Sequence, residues 1–124
     1  MEVLKLNALH FHAYHGCLEQ EKAVGNDYEL DLTLKADLRC ACQSDCLDDT
    51  INYAEVYSLV AREMQTPSKL IEHVAWRIAR TLLQSYPTLT EATVYLKKMH
   101  PPIAGQVESA GIAVTINRND GEIR

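Results

Sequence analysis

No stretch of this chain concentrates lysine and arginine, and the formal net charge is −5. Nucleic acid and anionic membrane surfaces both demand a basic face, so neither is expected as a partner. No apolar run approaches the roughly 20 residues that a membrane span needs. The opening residues Met1-Glu2-Val3-Leu4-Lys5 lack the basic-then-apolar layout of a signal peptide, which makes the cytoplasm the expected compartment. Internal repeats, low-complexity tracts and linkers are missing as well. A chain of 124 residues has room for one core, so one domain is expected over 1–118, with a polar, fraying tail over 119–124.

Cysteine is scarce. Cys17, Cys40, Cys42 and Cys46 are the four, and without a secretion signal they read as reduced thiols. The alternative is a zinc site from Cys40, Cys42 and Cys46, although their C-x-C-x-x-x-C spacing has no second paired half.

What the chain has is periodicity. From Tyr28 to Leu38 every even position is apolar, while Asp27, Glu29, Asp31, Thr33, Lys35 and Asp37 are polar. A period of two predicts a strand with one buried and one wet face, as in an antiparallel sheet covered on one side. An earlier strand covers about Val3 to Tyr14. Its apolar parity switches from Leu4, Leu6 and Ala8 to Leu9, Phe11 and Ala13, which predicts a bulge near Ala8 or Leu9. The stretch from His15 to Asn26 reads as a structured loop.

Tyr53, Val56, Tyr57, Val60 and Met64 form a helical stripe. Ile71, Val74, Ala75, Ile78, Ala79 and Leu82 form a second, with Ser68 as the expected N-cap. Two strands close the chain, on Ala92, Val94 and Leu96 and on Ile112, Val114 and Ile116. The expected order is β-β-α-α-β-β. The fold class is α+β: a four-stranded antiparallel sheet with two helices on one face and open outer edges.

Several residues at element ends have two readings. Lys98 shares strand parity with Ala92, Val94 and Leu96, so it is either a surface lysine or a partly desolvated base. Glu72 either answers the dipole of the second helix or anchors a planar N–H donor pair. Tyr53, behind an Asn52 cap, packs or relays a proton. Glu21 is either a solvated charge or part of a site. His10, His12 and His15 are either water-facing side chains or zinc ligands.

Four segments in order shift these readings. They are Tyr14-His15-Gly16 with Glu21 and Gly25; Asp49-Thr50 with Tyr53-Ala54-Glu55-Val56; Leu70-Ile71-Glu72-His73; and Lys98-Met99-His100-Pro101-Pro102-Ile103-Ala104-Gly105. Together they resemble the dihydroneopterin aldolases, members of the tunnelling-fold family of pterin and purine enzymes, from about Leu4 to Arg118. The resemblance implies a lyase of folate biosynthesis, acting by retro-aldol cleavage of 7,8-dihydroneopterin with no metal, no Schiff base and no cofactor. It implies catalytic roles for Lys98, Tyr53 and Glu21. It implies pterin binding by Glu72, with Ile71, Leu18, Thr50, Ile51 and Asn52 lining the pocket. Asn52 stands where some members carry histidine. The resemblance further implies homo-oligomers, tetrameric rings often stacked into octamers, with the Thr50–Tyr53 segment supplied by a neighbouring subunit. An epimerase using the same residues is the nearest alternative. A zinc-dependent tunnelling-fold enzyme and a non-catalytic pterin-binding module are the others.

Overall fold

The computed structural model describes residues 1–120. The expectation for the tail beyond Asp120 lies outside the described residues; Arg118–Asp120 forms a single 3-10 turn. Four strands, β1 (Glu2–Ala13), β2 (Asn26–Ala36), β3 (Leu89–Lys98) and β4 (Ala110–Asn117), pair antiparallel in the order β1-β2-β3-β4. Strands β1 and β4 therefore form the outer edges. Helices α1 (Glu19–Val24), α2 (Arg39–Ser44), α3 (Tyr53–Met64) and α4 (Ile71–Ser85) complete the chain. The expected β-β-α-α-β-β order holds, with α1 and α2 added.

The alternation in β2 does what its period dictates. Tyr28, Leu30, Leu32, Leu34 and Ala36 are fully buried, as are Ala92, Val94 and Leu96 of β3. Facing them are Val56, Val60 and Met64 of α3 and Val74, Ala75, Ile78, Ala79 and Leu82 of α4. Helix α4 lies over β3 and β4, while α3 packs beside α4 and touches β1. Each large aliphatic chain removed from water here contributes about 1.5–3 kcal/mol.

The bulge in β1 falls where the parity changes. Its register against β2 shifts between Leu6 and Leu9. Ala8 takes a φ of 56°, and its N–H leaves the ladder to donate to Asp31 Oδ1 at 2.6 Å. The extra residue turns Leu9 and Ala13 onto the covered face, where both are buried.

Two expectations are corrected. The stretch from His15 to Asn26 is not all loop, since Glu19–Val24 forms α1. Those residues are good helix formers, but six of them are too few to display a 3.6-residue period. Gly25 ends the helix at φ 77°, where a Cβ would meet the Ala13 carbonyl oxygen at 2.8 Å. Ser68 is not the N-cap of α4. The capping position is Leu70, and Ser68 Oγ instead contacts His73 Nδ1 at 2.8 Å and accepts from Arg77 Nη2 at 3.1 Å. Asn52 caps α3 as expected, its Oδ1 accepting from the Ala54 N–H at 2.9 Å.

A left-handed backbone costs a residue with a Cβ about 1–2 kcal/mol. Ala8→Gly is therefore expected to raise the unfolding free energy by roughly 0.5–1 kcal/mol, after allowing for the greater chain entropy of glycine. Parallel urea denaturation of the two proteins measures it, and a loss of stability would show that the bulge carries no strain.

Candidate active site

Strand β3 delivers two adjacent lysines to opposite sides of the sheet. Lys98 pairs in register with Tyr28 and so shares the covered face with Leu96 and Val94. Its Nζ donates to Glu21 Oε2 at 2.5 Å, and the two side chains are only 12% and 11% exposed. Lys97 lies opposite Glu29 on the outer face and forms an ion pair with it. That hydrogen bond raises the Lys97 pKa above its ordinary value. His10 Nε2 approaches the same carboxylate at 3.5 Å.

Glu21 is the third residue of α1. Its Oε1 also accepts from the Leu18 N–H at 3.4 Å. Burial pushes its pKa up, but the Lys98 hydrogen bond and the Leu18 and Cys17 amides outweigh that and hold it below the usual carboxylate range. The carboxylate fills the space beside Gly16, which adopts φ 150°. A Cβ there would lie 2.5 Å from Glu21 Cδ and Oε1. Glycine at position 16 is thus the condition for Glu21 reaching Lys98.

The loop bearing Gly16 is tied to the approach of α4. The Gly16 N–H donates to the Ser68 carbonyl at 2.9 Å, and the Ser68 N–H donates to His15 Nδ1 at 3.1 Å. The proton of the neutral ring is therefore on Nε2, a buried atom that meets no acceptor in good hydrogen-bond geometry among the described residues, although the Met64 carbonyl lies near the ring. His15 is 1% exposed and meets Tyr28 edge-on, and the Tyr28 hydroxyl donates to the His15 carbonyl at 3.0 Å. Burial, then the nearby charges of Arg77 and Lys98, lower the His15 pKa to about 4, against a smaller opposing effect of the Met64 carbonyl. Burial also raises the Tyr28 phenol to about 12, with Glu21 adding to the effect.

The other sequence-predicted residues, Ile71, Glu72, Tyr53, Thr50, Ile51 and Asn52, make no described hydrogen bond or ion pair with Glu21 or Lys98. Ile71 and Glu72 open α4, Ile71 packed against the core and Glu72 exposed. Tyr53 begins α3 and is 66% exposed. Thr50 and Asn52 are half-buried, whereas Ile51 is 4% exposed and belongs to the core. Among the described residues no hydrogen bond or ion pair joins Tyr53 to Lys98 or Glu21. A cavity of about 460 Å³ lies beside Glu21, lined by Leu18, Gln20, His12, His100 and Pro102 among others. A second, of about 470 Å³, is lined by Thr50 together with Leu38, Cys42, Cys46 and Leu47.

The histidine zinc set does not form. After the bulge, His10 and His12 point to water while His15 is enclosed by the core. Cys40, Cys42 and Cys46 are exposed on and just after α2. Among the described residues no three His, Cys, Asp or Glu side chains gather as a metal would need.

Sequence reasoning missed Asn26 and Asp27. The Asn26 side chain donates to the His100 carbonyl at 2.7 Å and accepts its N–H at 3.2 Å, extending the sheet past Lys98. Asp27 sits between His12 at 2.9 Å and His100 at 3.7 Å. These partners lie up to 74 residues apart, and no local pattern announces them.

The chain is similar to known proteins along nearly its whole length. A family model described as FolB: Dihydroneopterin aldolase matches residues 4–115. A dihydroneopterin aldolase of Staphylococcus epidermidis is 41% identical over 120 residues, covering 96% of this chain and 98% of the relative. One of Bacillus subtilis is 37% identical over 116 residues, covering 93% and 97%. In fold, the chain is similar to the crystal structure of E. coli dihydroneopterin aldolase in complex with neopterin, at a TM-score of 0.85. That likeness, at 21% identity, covers 94% of this chain and 100% of that one.

Because His15 titrates near 4 in the fold and near 6.5 when exposed, the unfolded chain binds the extra proton between those values. Its contribution to stability is therefore complete above pH 6.5 and falls as the pH drops toward 4. The loss is up to about 3 kcal/mol. Denaturation curves across this window check it, and in His15→Asn the slope assigned to this residue should vanish.

Proposed function

This chain belongs to the dihydroneopterin aldolase family, and we propose that its Glu21–Lys98 pair carries the family's reaction. In that reaction 7,8-dihydroneopterin is cleaved to 6-hydroxymethyl-7,8-dihydropterin and glycolaldehyde, a step of folate biosynthesis in the cytoplasm. The observation that carries the reading is a lysine on the covered face, nearly enclosed and held by one carboxylate, while its neighbour Lys97 is neutralised on the opposite face. An amine placed this way is held away from bulk water by a carboxylate that itself borders the cavity of about 460 Å³.

The chemistry asks for little more than proton transfer. A base removes the proton of the side-chain hydroxyl next to the scissile bond. The C–C bond breaks, glycolaldehyde leaves, and the electron pair passes into the C=N bond of the dihydropterin ring. The resulting enamine is then protonated on carbon. Because the substrate carries its own electron acceptor, neither a metal nor a Schiff base is required. Lys98 moves the proton, through a water, and Glu21 holds the amine in place. Glu72, exposed at the first turn of α4, anchors the amino-pyrimidinone edge through two parallel hydrogen bonds. Leu18 and Ile71 flank the ring. The relatives that match are aldolases, and the epimerase alternative is not favoured.

Tyr53 protonates the enamine, and it comes from a second copy of the chain. Its exposure and the separation of the Thr50–Tyr53 segment from Lys98 support this, as do the open edges β1 and β4. On this reading Thr50, Ile51 and Asn52 belong to the neighbour's side of each pocket, and the assembly is a ring of four, stacked into eight.

Incubation with 7,8-dihydroneopterin in the absence of added metal is expected to release glycolaldehyde. Lys98→Ala should lower kcat by about 100-fold or more, the scale of a lost general acid–base group. Lys97→Ala should change kcat little, since its partner lies on the other face. If Lys97→Ala is instead the inactive variant, the site is misassigned.

A mixing experiment addresses the shared pocket. Co-assembled Tyr53→Phe and Lys98→Ala subunits, each inactive alone, are expected to regain part of the activity, because some mixed sites hold both native groups. Absence of any regain in verified mixed oligomers would place both residues in one subunit's site.

A further inference from the structure

Of the five histidines in the chain, only His15 is buried. Its ring lies where four elements meet. Tyr28 of β2 lies edge-on to it, Arg77 of α4 and Lys98 of β3 present their charges to it, and the Met64 carbonyl ends α3 beside it. Its Nδ1 accepts the Ser68 N–H, its carbonyl accepts the Tyr28 hydroxyl, and the next residue, Gly16, donates to the Ser68 carbonyl. Cys17 Sγ adds a contact to the Lys69 carbonyl at 3.5 Å. Residues 15–17 are thus zipped to residues 68–69.

Each side of this zipper leads to a different part of the pocket. Downstream of Gly16 the chain enters α1 and Glu21, which fills the space that a side chain on Gly16 would take. Downstream of Lys69 it enters α4 at Ile71 and Glu72. Arg77 clamps the second loop from below, donating to the Glu63 and Thr66 carbonyls, both at 2.8 Å. Nothing else among the described polar contacts joins the Glu21 loop to the start of α4.

We propose that His15 is a positioning residue for the reaction: its neutral ring locks the loop carrying Glu21 to the loop leading into Glu72, holding the proton-transfer pair and the ring anchor at one spacing. The assignment rests on the reading that Glu21, Lys98 and Glu72 form the pterin site. A charged imidazole cannot fill the role, because Nδ1 would then be a donor facing the Ser68 N–H, with Arg77 and Lys98 nearby. Leucine fills the volume but leaves the Ser68 N–H without an acceptor. Asparagine is smaller and offers Oδ1 at about the place of Nδ1.

The test compares His15→Leu with His15→Asn. Both lose the ring that packs on Tyr28, so both should unfold at lower temperature. Measured per folded molecule, His15→Leu is expected to lose at least about tenfold in kcat/KM, with kcat lowered and KM raised together, the scale of a small misplacement of reacting groups. His15→Asn should stay within about threefold of wild type. Wild-type values of kcat and KM in folded His15→Leu would overturn the proposal, since a purely structural histidine affects only the folded fraction. Amide hydrogen exchange supplies a readout independent of turnover. In His15→Leu, residues 16–21 and 68–72 should lose protection together while the centre of β2 keeps it. If wild type releases no glycolaldehyde, the functional reading fails; exchange then decides the lock alone, with joint loss upholding it and separate loss overturning it.

Discussion

Burial on a single face of the sheet is the constraint on which the other features depend. A pleated strand sends alternate side chains to opposite sides, and only one side of this sheet is covered by α3 and α4. Tyr28, Leu30, Leu32, Leu34 and Ala36 of β2 and Ala92, Val94 and Leu96 of β3 occupy that side, while Tyr95 turns to the outer face. The register that satisfies the core also carries Lys98 inward and Lys97 outward. The inward placement of Lys98, proposed above to move the proton, is here a by-product of core formation. The bulge at Ala8 serves the same constraint, turning Leu9 and Ala13 inward on a strand whose first half has the opposite parity.

An enclosed amine next to an apolar core demands an anion, and the loop between β1 and β2 supplies it. Glu21 is brought in by a helix of one and a half turns, and it fits only because residue 16 has no side chain. The ring of His15 then completes the electrostatic arrangement by staying neutral. With Arg77 and Lys98 both near, a third positive charge would be repelled and would have little water to solvate it. One cation and one anion are paired at the mouth of the sheet, and the surrounding polar groups are spent on holding loops.

The outer face uses charge differently. Lys97 with Glu29, Lys35 with Glu91, and the Thr93–Thr115 hydroxyl pair at 2.8 Å run across neighbouring strands on the uncovered side. Surface pairs of this kind, half-buried or exposed, contribute little stability each. They keep the uncovered face polar, so that the two lysines at the end of β3 meet different surroundings although they are adjacent in sequence.

Much of this was legible in the sequence because it is local. The alternation in β2, the parity switch in β1, the stripe of α4, the Val56, Val60 and Met64 part of the α3 stripe and the Asn52 cap all follow from residues within one element, where backbone geometry alone decides which side chains share a face; Tyr53 and Tyr57, read as part of the α3 stripe, stay exposed instead. The parity that turns Lys98 inward was legible on the same ground. Helix α1 was not, since six residues span fewer than two turns and cannot show a repeating pattern, and Ser68 as a cap failed because tertiary partners, His73 and Arg77, claimed its hydroxyl. The histidines show the division most clearly. In sequence, His10, His12 and His15 form one cluster. Only the packed fold separates two water-facing rings from one enclosed ring, because the bulge and the loop that follows decide which side of the sheet each reaches. Likewise Glu21 and Lys98 are 77 residues apart, and nothing local joins them. Their contact exists because four antiparallel strands bring the end of β3 beside the loop that precedes β2, a closeness that only long-range pairing can create.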